Sequence, residues 1–181
     1  MKKIKVANPV FFYVFNLIIF GATLLCVHIV ILIFPNVLIK DWLDKHAEYE
    51  AIVDGANIGL YQQNFADGGF SPSQLDAVVK ELYNKSGGKW PLVVMHYRRF
   101  RGLVENPSYR KLVEEWMDKG ILYATPSGSN DDWYWLYAAV KLKCLLVTND
   151  EMRDHIFELL GSSFFFKWKD RHQVCVLGRP D

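Results

Sequence analysis

Short apolar runs alternate with amphipathic stretches through most of this sequence, and this alternation limits the fold more than any other feature. From Asp41 onward, residues 91–97 and 144–148 are almost wholly apolar, whereas Leu75, Val78, Val79 and Leu82 recur at helical spacing. Strands that are apolar throughout are buried on both faces, as parallel strands connected by helices are. The pattern therefore predicts an α/β domain with a mainly parallel sheet flanked by helices.

Turn and capping residues divide this domain into elements. We expect helices to begin at Ser71-Pro72-Ser73 and Asn106-Pro107-Ser108, because Ser or Asn before Pro is typical of a helix start. We expect Asp131 or Asp132 to cap a helix that runs to about Lys143. The predicted strands cover residues 49–53, 91–97, 121–124 and 144–148. A helix reaching Leu160 should follow, and residues 164–168 and 172–177 should form a last hairpin or edge strand.

The N-terminal segment has a different composition. Residues 10–34 form an apolar run of 25 residues that follows Lys2, Lys3 and Lys5. About 20 apolar residues suffice for a membrane-spanning helix, and the preceding lysines favour a cytoplasmic N-terminus. We therefore predict a signal anchor in a hydrophobic segment 1–40, followed by the α/β domain at 41–177. A buried core helix fits poorly because the run has no polar face, and a segment foreign to the domain is the other alternative.

Charge and cysteine content argue against three kinds of protein or site. Residues 1–35 hold three of the 21 basic residues and none of the 20 acidic ones, so the remainder has 18 against 20. A formal charge of −2 does not predict a broadly basic nucleic-acid-binding domain. Cys26, Cys144 and Cys175 are odd in number and form no CxxC pair, which argues against a disulfide framework and a zinc site.

Four acidic residues fall where parallel strands would place them together. Asp54 ends the first predicted strand, Asp150 follows the fourth, and Asp131 and Asp132 open the helix after the third. Ligands of such sheets bind at the carboxyl ends of the strands. Oxygen ligands suit Mg²⁺, and two such ions about 4 Å apart activate water for phosphodiester hydrolysis. The alternative is that each acid only caps a helix or strand end.

Other charged residues near these acids have two interpretations. Asp154 lies one turn after Asp150 and would either support the metal ligands or belong to a solvated helix face. Arg98, Arg99 and Arg101 follow the second strand and would either bind RNA phosphates or form a solvated loop.

Three sequence blocks together resemble the nuclease domain of plant-type protein-only RNase P. They are AIVDGANIG at 51–59, GSNDDWYW at 128–135 and LVTNDEMRDH at 146–155, and the similarity extends over about residues 41–174. The resemblance implies an NYN/PIN-like Rossmannoid metallonuclease fold. It implies removal of the 5′ leader of precursor tRNA by a two-metal, water-activating mechanism that uses Mg²⁺ or Mn²⁺. The matched acids Asp54, Asp131, Asp132 and Asp150 would be the catalytic metal ligands, with Asn57 in support of them.

The sequence also departs from that family. Family members carry pentatricopeptide repeats that bind the tRNA and a split zinc-binding domain, but no helical repeat or upstream CxxC occurs here, so no zinc site is expected in this chain. An alternative function is therefore a catalytically weak or inactive paralogue, membrane-anchored or truncated. A haloacid dehalogenase phosphatase would need an acid where Ala56 stands. The family implies a nuclear or organellar location, whereas the apolar run implies a membrane.

Overall fold

The computed structural model describes residues 36–46, 48–63, 69–153 and 163–176, and the structural statements below concern these residues. Helices and strands follow one another in this order: α1 (Asn36–Lys45), β1 (Ala51–Asp54), α2 (Gly55–Leu60), α3 (Pro72–Lys85), β2 (Leu92–His96), α4 (Tyr97–Glu105), α5 (Pro107–Asp118), β3 (Leu122–Thr125), α6 (Asp131–Leu142), β4 (Leu145–Val147), α7 (Ser163–His172) and β5 (Gln173–Val174).

All five of these strands are parallel and lie in the order β3-β2-β1-β4-β5. Val53 of β1 is in register with Val93 of β2 on one side and with Val147 of β4 on the other. The predicted parallel α/β fold is confirmed. The chain leaves β1 toward β2 and returns to β4 on the opposite side, so the strand order reverses between β1 and β4. Open parallel sheets bind ligands at such a switch point.

A separate apolar cluster covers each face of the sheet. Successive side chains of a strand point to opposite faces. Accordingly, Ile52 packs in the cluster that contains α1, α6 and α7 residues, while Val53 packs in the cluster that contains α2, α3 and α5 residues. Leu92 and Val93 divide between the clusters in the same way. Burial on both faces explains why the strands are apolar throughout.

Helix α1 spans the predicted boundary between the segment 1–40 and the domain 41–177, and side chains on both sides of this boundary belong to the core. Ile39 and Leu43 are fully buried, and the ring of Trp42 meets the edge of Tyr123 at a centroid distance of 5.6 Å. A fragment that begins at Asp41 would therefore lose a core side chain. No helix within the described ranges is long and apolar enough to cross a membrane, and the predicted span at residues 10–34 lies outside them.

The prediction that residues 164–168 form a strand is wrong, whereas an edge strand within residues 172–177 is confirmed. These residues belong to helix α7, in which Phe165, Trp168 and His172 are spaced by three and four positions. The Trp168 ring stacks on Phe165 and on His172, and both Phe165 and Trp168 are buried in the core. Tertiary packing therefore outweighs the strand propensity of an aromatic run. Strand β5 then forms an edge strand, as expected for part of residues 172–177.

Candidate functional site

Asp54 ends β1 at the switch point and is almost completely buried, with 3% of its surface exposed. It is the N-cap of α2: its Oδ1 accepts the Asn57 backbone N–H at 3.0 Å. Its Oδ2 accepts the Thr148 hydroxyl at 2.9 Å. Helix α2 begins directly at Gly55, where a Cβ would lie only 2.9 Å from Val93 Cγ1. The strand-to-helix turn thus holds the Asp54 carboxyl in one orientation.

The environment of Asp54 disfavours its charge. Burial raises the pKa of this carboxyl from 3.8 to about 7, and the negative charges of Asp132 and Asp131 contribute to the rise. The hydrogen bonds from Asn57 and Thr148 lower the pKa, but by less than burial raises it. A buried acid beside other acids is stabilised by a proton or by a cation.

Asp150 follows β4 and is connected to Asp54 through Thr148. The Thr148 hydroxyl oxygen accepts the Asp150 backbone N–H at 3.1 Å while its proton goes to Asp54. Asp150 Oδ1 accepts the backbone N–H of Met152 at 2.9 Å. Met152 is buried and has a φ of +54°, a conformation that costs an L-residue roughly 1–2 kcal/mol. The Asp150 side chain therefore helps to hold this turn.

Asp131 and Asp132 occupy the first turn of α6, where the partial positive charge of the helix end favours carboxylates. The helix cap is Asn130, whose Oδ1 accepts the Asp132 N–H at 3.0 Å. The prediction that Asp131 or Asp132 caps this helix is therefore wrong by one position. Because capping uses the Asn130 side chain, neither acid is needed for it.

The four predicted acids lie at one edge of the sheet, but not at ligand distances from one point. The charges of Asp131 and Asp132 raise the pKa of Asp54, and the Thr148 hydroxyl hydrogen-bonds both the Asp54 carboxyl and the Asp150 backbone N–H. Within the described ranges, however, no group of three or more His, Cys, Asp or Glu side chains is close enough to hold a metal ion. The donors are all carboxylate oxygens, and the buried Asp54 would gain from a cation. In its chemistry, this set fits a hard divalent ion such as Mg²⁺.

Asn57 supports the loop that carries Asp150. Its side-chain Oδ1 accepts the Asn149 backbone N–H at 2.9 Å, while its own backbone N–H donates to Asp54. Asn57 thus contacts two of the three chain segments that carry the predicted acids. Asp154, the other predicted supporting residue, lies outside the described residues.

The three predicted phosphate-binding arginines lie on helix α4 rather than in a loop. Helix α4 begins where β2 ends, at the same sheet edge as Asp54. Arg101 forms an exposed 2.7 Å ion pair with Glu105, and the Arg99 guanidinium lies 5.1 Å from the centre of the Phe70 ring. Arg98 is exposed, and its guanidinium makes no ion pair with any described residue. Of the three guanidinium groups, that of Arg98 therefore has the fewest contacts with other described side chains.

Three further residues at this edge were not predicted from the sequence: Asn130, Thr148 and Gln173. The role of Asn130 could have been predicted, because Asn before an acidic first turn is typical of a helix cap. The role of Thr148 depends on the direction of its hydroxyl group, and that of Gln173 on contacts of β5, so short motifs do not reveal them.

Comparisons with known proteins agree with the fold. The sequence model of the family "Protein-only RNase P" matches residues 37–180. Proteinaceous RNase P 2 of Arabidopsis thaliana is 75% identical over 136 residues, which are 75% of this chain and 26% of that protein. Proteinaceous RNase P 1, chloroplastic/mitochondrial, of the same plant is 53% identical over 139 residues, or 76% of this chain and 24% of that protein.

A solved structure supports the same relationship. The crystal structure of nuclear proteinaceous RNase P 2 from A. thaliana matches with a TM-score of 0.73 and 71% identity, covering 78% of this chain and 30% of that chain. The chain spans about a quarter of the length of the curated relatives it matches. On the family match over residues 37–180 and on these identities, the chain belongs to the protein-only RNase P family.

Proposed function

We propose that this chain is a metal-dependent endoribonuclease of the protein-only RNase P type, which removes the 5′ leader of precursor tRNA. The observation that carries the proposal is the buried Asp54 carboxyl. It lies in the field of Asp131 and Asp132 and is joined through Thr148 to the Asp150 loop. Membership of a family whose curated members are named proteinaceous RNase P supports the substrate.

In this proposal, Asp54, Asp131, Asp132 and Asp150 hold Mg²⁺, or Mn²⁺ in its place. Bound divalent ions would supply positive charge to the phosphodiester oxygens and activate water. Asp54 is pre-oriented by its two hydrogen bonds. Asp150 keeps its Oδ1 on Met152, while its Oδ2 accepts no hydrogen bond from the residues that the structure describes. Rotation of the partly exposed Asp131 and Asp132 side chains would complete the ligand set.

Helix α4 would hold the RNA next to these acids. Arg98 projects from the first turn of α4, at the edge where β1 and β2 end, and its side chain is exposed. A guanidinium binds phosphate through two parallel hydrogen bonds. We therefore assign phosphate binding first to Arg98. Arg99 and Arg101 would have to leave Phe70 and Glu105 to contribute.

The test is cleavage of a precursor tRNA by the full chain with Mg²⁺. We expect a single cut that releases the 5′ leader, and we expect Asp131→Ala and Asp150→Ala to abolish it. Asp118→Ala is the matched control, because Asp118 is an exposed acid at the far end of α5. Unchanged cleavage by either site variant would refute its assigned role. An inactive wild-type chain that is folded would refute independent activity.

The apolar run at residues 10–34 favours a second candidate function. In this alternative the chain is a membrane-anchored module with weak or no cleavage activity, and the fold serves another role. Membrane association that resists carbonate extraction, without RNA cleavage, would support this alternative. Full recovery in the soluble fraction would exclude the anchor.

As a working division of the chain, we propose a hydrophobic segment at 1–40 and a metallonuclease domain at 41–177. Because Ile39 belongs to the core, an expression fragment of the domain should begin before Asn36.

A further inference from the structure

The last strand holds the loop that carries Asp150. The Thr148 N–H donates to the Val174 carbonyl at 3.1 Å. The Asn149 side-chain amide pairs with the backbone of Val176, accepting its N–H at 2.8 Å and donating to its carbonyl at 3.1 Å. Asn149 thereby extends the pairing of β4 and β5 beyond the end of the regular strands.

Gln173 makes the contact nearest to Asp150. Its Nε2 donates to the Thr148 carbonyl at 2.9 Å and to the Asp150 carbonyl at 2.8 Å. One amide group therefore uses both of its protons on two carbonyls that lie two residues apart. These two bonds hold both carbonyls on the Gln173 side of the loop.

The opposite side of the loop is held by Thr148 and Asn57. The Asp150 N–H donates to the Thr148 hydroxyl oxygen, and the Asn149 N–H donates to Asn57 Oδ1. The peptide groups on both sides of the Asp150 Cα thus have fixed partners, one of them on β5. This backbone position sets the direction of the Asp150 Cα–Cβ bond, and the Met152 N–H holds the carboxylate through its Oδ1.

We propose that Gln173 is a positioning residue for the metal site, which acts by fixing the backbone of the Thr148–Asp150 loop and thereby the direction of the Asp150 carboxylate. The inference rests on the proposed function, in which Asp150 binds a divalent ion. Gln173 touches neither the ion nor the RNA. Its loss should therefore change metal affinity and leave RNA affinity unchanged.

Two substitutions in the full chain test this role. Gln173→Met keeps the length of the side chain and removes both donors, whereas Gln173→Glu keeps the shape but offers only acceptors to the two carbonyls. Val174→Thr is the control, since it changes an exposed side chain on the same strand and keeps the backbone bonds. Mn²⁺ binding is followed by electron paramagnetic resonance of the free ion, thermal unfolding by circular dichroism, and precursor tRNA cleavage as a function of Mg²⁺.

We expect Gln173→Met to weaken Mn²⁺ binding by about tenfold, the low end for loss of a group that supports a metal ligand. Gln173→Glu should weaken it at least as much. The Mg²⁺ concentration for half-maximal cleavage should rise by a similar factor, while KM for the RNA at saturating Mg²⁺ stays constant. Val174→Thr should match the wild type in all three measurements.

Unchanged Mn²⁺ affinity in both Gln173 variants overturns the proposal, whether or not their melting temperatures fall. Failure of both variants to fold assigns Gln173 to the fold alone and overturns it as well. A wild-type chain that binds Mn²⁺ but does not cleave precursor tRNA refutes the proposed function, while the metal titrations still decide the role of Gln173. A wild-type chain without saturable Mn²⁺ binding refutes both.

Discussion

Replacing Asp54 with Asn should stabilise the protein at neutral and alkaline pH, although the residue is central to the proposed activity. The carboxyl is 3% exposed, and its pKa is raised from 3.8 to about 7. In the unfolded chain, Asp54 loses its proton near pH 4, whereas the folded protein retains this proton until about pH 7. Folding therefore becomes less favourable as pH rises between these two values.

The size of this effect follows from the shift in pKa. Each unit corresponds to 1.36 kcal/mol, so a shift of roughly three units costs about 4 kcal/mol once the folded carboxyl is ionised. Between pH 5 and pH 8 the cost should grow by roughly 2–3 kcal/mol, because about a third of it is already present at pH 5. The side-chain amide of the Asp54→Asn variant has no charge to bury and can still accept the Asn57 N–H. Thr148 can turn its hydroxyl to accept from the new amide.

Urea unfolding of the full chain at pH 5, 6, 7 and 8, without divalent ions, measures this difference. We expect the Asp54→Asn variant to gain stability over the wild type as pH rises to 7, and the gain to level off above it. Carboxyl groups far from Asp54 titrate alike in both proteins, so their contribution cancels in the comparison. Asp131 and Asp132 interact with the Asp54 charge, and their response is therefore part of the measured difference. A constant difference across this range, or a wild type that is more stable at pH 8, would refute the assigned burial cost.

Other perturbations have direct readouts. Saturating Mg²⁺ should raise the melting temperature of the wild type at pH 8, because a ligand that binds only the folded state stabilises it, and should not raise that of Asp54→Asn. Ile39→Ala should cost about 2–5 kcal/mol in urea unfolding, as other core truncations do, and a loss below about 1 kcal/mol would contradict the burial of α1. Asn130→Ala should cost about 1 kcal/mol and Asn130→Asp much less, since Asp also caps helices. Arg98→Ala should raise KM for precursor tRNA, whereas Arg101→Ala should change it less because Arg101 is paired; equal effects would argue against the choice of Arg98.

Much of the fold follows from local patterns in the sequence. Buried strands such as β2 are apolar throughout, and Ser71 and Asn106 cap the helices that their sequences predict. The strand order places Asp54 and Asp150 on either side of the switch point, so their proximity follows from topology. Helix α4 is less predictable, because its cap is the ring of His96, whose Nδ1 accepts the Arg98 N–H.

The supporting contacts of the site depend on distant parts of the chain. The Thr148 hydroxyl meets a residue 94 positions away, and Gln173 reaches Asp150 from a strand that is 23 positions later. Whether a hydroxyl donates to one partner or another is decided by the assembled sheet, not by its neighbours in sequence. The same is true of α7, whose Phe165 and Trp168 belong to an apolar cluster that also contains residues of α1 and α6.

The late position of β5 in the chain has a consequence for protein synthesis. Strands β1 to β4 and the acids near them are translated before Gln173, Val174 and Val176, which anchor the Asp150 loop. Parallel pairing joins distant segments and forms slowly, and domains fold as their elements leave the ribosome. A growing chain can therefore assemble most of its sheet while the loop between Thr148 and Asp150 is still unanchored. On this view, the proposed metal site is complete only after β5 has been translated and has paired with β4.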